Sequence, residues 1–258
     1  MKVDRGVVTL FNVKMAGQPH VDRDLGFWTE RLCLMQKFWS RSFGSKSGSG
    51  WVNVYCDMDT DDCILDGLSE LIGRLPNEAR IVLVKDQFSL KDELSGLCDS
   101  YGLFGGQHTS DPFTHLHVTV LDSDDMVSSS YFDHSVSVAV QNFARNSNES
   151  FVVACENRYL FDTDGGKLWK VGNDGVSSSY TLGSCWSLCC PVDSGVRNAG
   201  KRIFFGEGSC FCKSSTRFST KFRHGDWQQK LEGSARLVPA NRLSGSFGKA
   251  VSDEAVVR

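Results

Sequence analysis

The sequence predicts an α+β protein, rich in β-structure, built as an antiparallel β-sandwich from which an N-terminal helix projects. Segments typical of short strands dominate the chain, helical spacing is mostly confined to the first hundred residues, and 25 Gly accompany only five Pro among 258 residues. Such a chain has many turns between short strands. Because no shift in composition marks a boundary, we expect a single domain over 1–258, with a helical arm at 1–40 and the sandwich core at 41–258.

The first predicted element is a helix over Leu25–Trp39, in which nine of fifteen residues are apolar or Cys. Apolar side chains occupy two of its faces: Leu25, Trp28, Leu32, Met35 and Trp39 on one, and Phe27, Leu34 and Phe38 on the other. A helix with two apolar faces is normally buried on both. An N-terminal helix has few neighbours in its own chain, so we expect other copies of the protein to cover part of it.

The remaining elements follow in order along the chain. Helices are predicted at Cys63–Leu75, with Asp61 or Asp62 as its cap, and at Leu90–Leu97. Strands are predicted at Trp51–Tyr55, Arg80–Val84, His115–Leu121, His134–Val140, Ser150–Glu156, Arg158–Phe161, Lys167–Val171, Thr181–Cys190, Arg202–Phe205 and Cys210–Cys212. The turn residues Asp164, Gly165 and Gly166 predict that Ser150–Glu156 and Arg158–Phe161 pair with Lys167–Val171.

The charge of the chain is unevenly distributed. From Arg197 onwards there are twelve Lys/Arg and five Asp/Glu, so this part carries +7 while the rest carries −10. We favour self-association over nucleic-acid binding, because no motif combines aromatic and basic residues in the manner of RNA-binding domains. The first 22 residues lack the apolar run of a signal peptide. We therefore expect a cytosolic chain, no membrane partner, and ten Cys that begin as thiols.

Two alternatives involve cysteines of the C-terminal half. The segment Leu182–Trp186 resembles the nucleophile segment of papain-like proteases, with Cys185 as nucleophile and His224 as base. The second alternative is a structural zinc site of a regulatory or nucleic-acid-binding protein. Its candidate ligands are Cys185, Cys189, Cys190, Cys210, Cys212 and His224. Their spacing matches no standard zinc finger, and we favour packed or intermolecularly paired thiols, with no metal.

Two further patterns are incomplete. His117 and Thr119 form one H-x-T motif of the kind that two-histidine phosphoesterases use in pairs, and no second copy occurs in a similar strand. The acidic run Asp57–Asp62 lacks the Gly and Glu that complete a calcium-binding loop, so it predicts a solvated turn and a helix cap. We find no complete catalytic set, and expect a protein without enzymatic activity.

The stretch Arg23–Cys56 resembles the polyhedrin family of cypoviruses, the cytoplasmic polyhedrosis viruses of insects. The resembling residues are Arg23–Asp24, Arg31–Leu32, Ser49, Trp51–Val52 and Tyr55. A second patch, Ser135–Val140 continuing to Asn146, resembles a late strand of the polyhedrin sandwich. The chain departs from the family in having only five Tyr but ten Cys, which indicates a divergent type.

The resemblance implies a structural occlusion-body protein. Such proteins form trimers that pack into a cubic crystal lattice in the host cell cytoplasm, embed and protect virus particles, and dissolve in the alkaline insect gut. Leu25–Trp39 would then be the helix that joins trimers. The partners would be the chain itself and virus particles, with no cofactor. Nucleotide binding also occurs in the family but is assigned here to no residue.

The cysteines suggest a route to alkaline dissolution. Thiols ionise near pH 8.5 and phenols near pH 10. Ten Cys and five Tyr would take the net charge from −3 to −18 if all ionised, and like charges oppose close packing. Candidate thiols for this switch, or for disulfides, are Cys185, Cys189, Cys190, Cys210 and Cys212.

Overall fold

The computed structural model describes residues 1–13, 25–44, 50–85, 114–128, 130–162, 167–171, 186–191, 201–213 and 235–237. Three α-helices lie in these ranges: α1 Leu25–Lys37, α2 Asp62–Gly73 and α3 Tyr131–Phe143. The strands are β1 Val3–Leu10, β2 Trp51–Asp57, β3 Ala79–Val84, β4 His115–Val120, β5 Asp125–Val127, β6 Phe151–Asp162, β7 Lys167–Val171, β8 Trp186–Pro191, β9 Lys201–Lys213 and β10 Ala235–Leu237. No helix among the described residues is long and apolar enough to cross a membrane.

These strands form one mixed sheet, which confirms the α+β class and corrects the prediction of an antiparallel sandwich. Its main path runs β10-β7-β6-β8-β4-β1-β2-β3, and β9 joins β6 to β5. The neighbours β3, β2, β1 and β4 are all parallel, whereas β8 pairs antiparallel with both β4 and β6. Parallel neighbours need long crossovers. Along the chain, α1 lies in the connection from β1 to β2, and α2 lies in the connection from β2 to β3.

The core lies where the helices meet one face of the sheet. Val7, Val52 and Val54 from the central strands form a single buried cluster with Ile64 and Leu68 of α2. Side chains of α1 and of α3 join the same cluster: Met35, Tyr131 and Phe132. A second cluster on the opposite face contains Val8 of β1, Tyr55 of β2, and Leu116 and Val118 of β4.

Helix α1 packs in this core and does not project as an arm. Met35 is buried, as are Phe38 and Trp39, which follow the helix, and the indole Nε1–H of Trp39 donates to Thr9 Oγ1 of β1 at 2.9 Å. Leu32 packs over Gly67 of α2 so closely that a Cβ added to Gly67 would lie 2.5 Å from Cδ2 of Leu32. Burying a large apolar side chain stabilises the fold by about 1.5–3 kcal/mol. The helix thus finds much of its cover within its own chain.

Residues 1–40 also contribute β1, which the sequence analysis did not predict and which lies between β2 and β4 in the sheet. The prediction of a single domain stays a prediction.

The predicted strand His134–Val140 is wrong, because these residues lie within helix α3. Alternation of Ser and Val suggested a strand, but Phe132, Val136, Ala139 and Phe143 are buried at helical spacing. Phe143 contacts His115 of β4, with ring centroids 4.2 Å apart. Burial of this continuous stripe against the sheet outweighs the strand preference of Val. The second patch of the polyhedrin resemblance is therefore helical.

Several other predictions agree with the structure. Trp51–Tyr55 and Arg80–Val84 lie in β2 and β3, and Arg158–Phe161 pairs with Lys167–Val171 in the antiparallel pair β6–β7. The predicted pairing of Ser150–Glu156 with Lys167–Val171 is wrong, because this part of β6 pairs with β8. Asp61 caps α2, its Oδ1 accepting from the Cys63 backbone N–H at 2.9 Å. The predicted segments Arg202–Phe205 and Cys210–Cys212 belong to one strand, β9. The predicted helix Leu90–Leu97 lies outside the described residues.

Candidate functional site

The four parallel strands end at one edge of the sheet, and polar residues gather there. Asn12 follows β1, Asp57 ends β2, and Asp122–Asp125 follow β4. From β1 the chain continues to β2 and β3 on one side, and β4 lies on the other side of β1. Open sheets with parallel strands bind ligands outside the carboxyl ends of the strands, where the strand order reverses in this way. The ends of β1 and β4 are therefore the candidate site.

Three carboxylates converge beyond β4 and form what we call the acidic cluster: Asp122, Asp124 and Asp125. One ligand oxygen from each lies within 4.8 Å of the others. Asp124 and Asp125 are buried, while Asp122 is half-buried. Ionised carboxylates at this separation repel one another by about 3–4 kcal/mol per pair at an effective dielectric constant near 20. Such an arrangement is suited to a positive partner.

The segment that carries the acidic cluster is held at both ends. Before it, the Leu121 backbone N–H donates to the Val8 carbonyl at 3.0 Å. Within it, the Asp125 backbone N–H donates to the Asp122 carbonyl at 3.0 Å and closes a tight turn. After it, β5 pairs antiparallel with β9, and the Val127 N–H donates to Ser42 Oγ at 3.0 Å. These bonds fix the backbone from which the carboxylates extend.

Arg31 of α1 reaches the acidic cluster. Its Nε–H donates to Ser123 Oγ at 2.7 Å, and its Nη2–H donates to Asp124 Oδ1 at 3.1 Å. The two side chains of the ion pair are 17% and 1% exposed. With Arg31 counted, three carboxylates and one guanidinium carry a formal net charge of −2, equal and opposite to that of one divalent cation.

The donor set of the acidic cluster fits a hard divalent cation. Mg²⁺, Mn²⁺ and Ca²⁺ prefer carboxylate oxygens, whereas zinc sites use mainly His and Cys. Mg²⁺ in particular is bound through one or two carboxylates together with waters and the phosphates of a substrate, and less often by a cage made wholly of protein. The acidic cluster lies where the strand order reverses, which is also where such a substrate would bind.

A second polar group lies at the ends of β1 and β2. Asn12 Oδ1 accepts from the Asp57 backbone N–H at 3.0 Å, and Asn12 Nδ2 donates to Thr60 Oγ1 at 2.8 Å. The Asp57 carboxylate accepts from the Asp59 backbone N–H at 2.9 Å. These bonds tie the loop after β2 to the loop after β1. The acidic run Asp57–Asp62 thus forms a turn and a helix cap, as predicted, but its first residue, Asp57, is buried and not solvated.

Residues predicted to join trimers lie partly inside this chain's own core. The buried ones are Met35, Phe38 and Trp39. Half-buried ones are Phe27, Trp28, Leu32 and Leu34, and Leu25 is 46% exposed. The rings of Trp28 and Phe11 approach to 5.7 Å, and those of Phe38 and Phe161 to the same distance. Their role in assembly stays a prediction.

Among the thiol candidates, the structure describes the side chains of Cys189 and Cys190. Cys189 and Cys190 are adjacent in β8 and lie in core clusters on opposite faces of the sheet, so their side chains point apart. Burial raises the pKa of the Cys189 thiol well above its ordinary value, which opposes its ionisation in alkali. Cys210 and Cys212 lie in β9. Cys185 and His224 lie outside the described residues, so the proposed protease pair stays a prediction.

His117, the residue of the incomplete H-x-T motif, is buried in β4. Burial is the main cause that lowers its pKa from 6.5 to about 4, and the positive charge of Arg5 on the neighbouring strand acts in the same direction. Thr119 bonds Ser187 of β8 at 2.8 Å, and Ser187 also bonds the Tyr131 hydroxyl of α3 at 2.9 Å. These side chains connect the sheet to α3.

Sequence reasoning missed the acidic cluster and Arg31. A signal was present, because Asp122, Asp124 and Asp125 follow directly after the strongly apolar strand His115–Leu121. Acidic residues at the carboxyl end of a buried strand indicate a site only where that strand is parallel to its neighbours. Because the sheet was predicted to be antiparallel, these acidic residues were not recognised as a candidate site. Arg31 lies 93 residues before Asp124, so its contact depends on the tertiary fold.

No protein-family model matches the chain, and no curated protein matches it. Solved structures similar to it include HddC from Yersinia pseudotuberculosis, with a TM-score of 0.31 and 11% identity over 98% of this chain and 99% of that one. Mouse xyloside xylosyltransferase 1 has a TM-score of 0.28 and 10% identity over 60% and 52% of the two chains. A protein from Desulfovibrio desulfuricans G20, described as a nucleotide-diphospho-sugar transferase, has a TM-score of 0.35 and 13% identity over 89% and 95%.

Two of the three similar structures are named as transferases, and the prediction that the chain is not an enzyme is therefore withdrawn. With TM-scores below 0.5, the similarities assign no activity, substrate or partner to this chain. The predictions of a cypovirus polyhedrin, of trimers in a crystal lattice and of a place in cytoplasmic occlusion bodies stay predictions. Light microscopy of cells that express the chain alone would show crystals if they are right.

Proposed function

We propose that this chain is a cation-dependent enzyme that binds a nucleoside diphosphate group at the carboxyl ends of β1 and β4 and transfers the group attached to it. The observation that carries the proposal is the acidic cluster, three carboxylates within 4.8 Å of one another at the point where the strand order reverses. A nucleotide-diphospho-sugar is the donor class to test first, because it presents a diphosphate next to a transferable group.

Charge complementarity supports this assignment. A diphosphate and the acidic cluster are both negative, so they repel each other unless a cation lies between them. Asp122, Asp124 and Asp125 would hold a divalent cation, which would supply positive charge to stabilise the departing diphosphate. Binding of the nucleotide is therefore expected to require the cation.

The protein's own residues have separate tasks in this proposal. Half-buried Asp122 is the carboxylate most accessible from solvent, whereas buried Asp124 is oriented by Arg31. Asn12 holds together the two loops beside the site through its bonds to Asp57 and Thr60. Fixed side chains of this kind favour catalysis, because little reorganisation is needed when the substrate binds.

The proposal is tested by assaying release of nucleoside diphosphate from a panel of UDP-, GDP-, CDP- and ADP-sugars, with Mn²⁺ or Mg²⁺ and with excess EDTA. We expect release with at least one donor, its loss in EDTA and its return when Mn²⁺ is restored. Failure of every donor with both cations would contradict the transferase assignment.

The variant Asp122→Asn should lower activity about tenfold or more, because it removes one charged ligand while its half-buried position tolerates the amide. Asp66→Asn is the matched control, since Asp66 is an exposed residue of α2 that does not belong to the acidic cluster. Equal activity of the two variants would contradict the assignment of Asp122 as a ligand.

A further inference from the structure

We propose that Arg31 is a positioning residue for the acidic cluster, one that orients Asp124 and the turn at Ser123 so that the cluster can hold its cation. This inference rests on the proposed function. It concerns how the site is built, and it assigns a role to a residue that lies outside the sheet, on α1.

The geometry requires a guanidinium. Nε and Nη2 of Arg31 donate at the same time to two consecutive residues of the turn, Ser123 Oγ at 2.7 Å and Asp124 Oδ1 at 3.1 Å. The guanidinium group holds its donors in a fixed planar fork, whereas lysine has a single nitrogen at the end of a flexible chain. Lysine would keep the charge but would not reproduce both bonds.

Helix α1 delivers Arg31 from a rigid base. Met35 lies one turn further along the helix and is buried in the core, and Trp39 is bonded to Thr9 of β1. On the preceding turn the ring of Trp28 packs on Phe11, the residue that follows β1. The guanidinium therefore has little freedom to move away from Asp124. Its position depends on the end of β1, against which α1 packs, as well as on the end of β4.

Two roles for Arg31 predict opposite effects on cation binding. If Arg31 acted only through its charge, its loss would make the site more negative and cation binding tighter, and Arg31→Lys would change nothing. If it positions Asp124 and the turn, both Arg31→Lys and Arg31→Gln weaken cation binding. In the native protein, the positive charge of Arg31 lowers the affinity of the acidic cluster for the cation. The fixed position of Asp124 raises that affinity by more.

The experiment measures Mn²⁺ binding to the full chain by electron paramagnetic resonance, which reports free Mn²⁺ and the spectrum of bound Mn²⁺. We expect Arg31→Lys and Arg31→Gln each to weaken binding about five- to twentyfold and to alter the width of the bound spectrum. The matched controls are Arg74→Lys and Arg74→Gln, because Arg74 pairs with Glu70 on the exposed surface at the end of α2. They should leave both readouts unchanged.

A second variant keeps the test decisive if the Arg31 variants do not fold. Ser123→Ala removes one of the two bonds to Arg31 with no change of charge, and we expect it to weaken Mn²⁺ binding about two- to fivefold. Circular dichroism and thermal unfolding verify that each variant is folded at the temperature of measurement. Wild-type affinity in Arg31→Lys, tighter binding in Arg31→Gln, or unchanged binding in Ser123→Ala would each overturn the inference while leaving the proposed function intact. Absence of Mn²⁺ binding to the wild-type chain would overturn both.

Discussion

A histidine buried between β-strands gives the protein a specific pH dependence. The pKa of His117 is lowered from 6.5 to about 4, chiefly by burial. As the pH falls below 6.5, His117 becomes protonated in the unfolded chain, whereas in the folded chain it stays neutral until about pH 4. The free energy of unfolding should therefore decrease by about 3 kcal/mol across this window on account of His117, and this contribution is constant above it.

Urea unfolding between pH 4 and 7 checks this prediction. His117→Gln should flatten the decrease relative to the native chain, because glutamine does not titrate. His134→Gln, at an exposed position on α3, is the matched control and should keep the native slope. Identical slopes for native chain and His117→Gln would show that His117 is accessible to protons in the folded state.

A close approach between neighbouring strands makes Gly6 sensitive to substitution. An added Cβ would lie 2.0 Å from Cζ2 of the Trp51 ring, whose Nε1–H donates to Asp4 Oδ2 at 3.3 Å. We expect Gly6→Ala to lower the free energy of unfolding by about 1–3 kcal/mol, because the ring must move. Gly73→Ala is the control, since no atom lies within 4 Å of its added Cβ. Equal unfolding midpoints for the two variants would refute the clash.

At the scale of single elements, helix α2 depends on its N-terminal cap. Asp61 accepts from the Cys63 N–H. Its pKa is lowered first by a hydrogen bond with the Cys63 side chain and second by this backbone bond. Asp61→Ala should destabilise the protein measurably, whereas Asp61→Asn keeps an acceptor and should destabilise it far less. Thermal unfolding at pH 7 measures both. A loss as large in Asp61→Asn as in Asp61→Ala would show that charge, and not capping, sustains the helix.

The elements could be predicted where local pattern and tertiary environment agree. Helix α2 has apolar residues at helical spacing and a capping Asp, and β2 alternates, so both were predicted correctly. Helix α3 was wrong because the Ser/Val alternation at 135–140 fits a strand, while the stripe that decides its state includes Phe132 and Phe143, beyond that window. Strand β1 was missed because its first half contains Asp4, Arg5 and Gly6, which interrupt its apolar pattern.

At the scale of the whole molecule, strand direction could not be predicted from local sequence. Whether β1, β2 and β4 are parallel depends on how the chain returns between them, and the pairing of Val8 with Val120 joins residues 112 positions apart. The acidic cluster has meaning only once that direction is known. The sequence could have shown that three acidic residues follow a strand: Asp122, Asp124 and Asp125. It could not have shown that their carboxylates converge or that Arg31 contacts Asp124.

The central claim is that the acidic cluster holds a divalent cation that in turn binds a diphosphate. Calorimetric titration of the wild-type chain with UDP, GDP, CDP and ADP, each with Mn²⁺ and with EDTA, tests it most directly. We predict that at least one nucleotide binds when Mn²⁺ is present, and that EDTA or Asp122→Asn weakens this binding about tenfold or more. Binding that is equally strong in EDTA, or no binding of any nucleotide with Mn²⁺, would contradict the account.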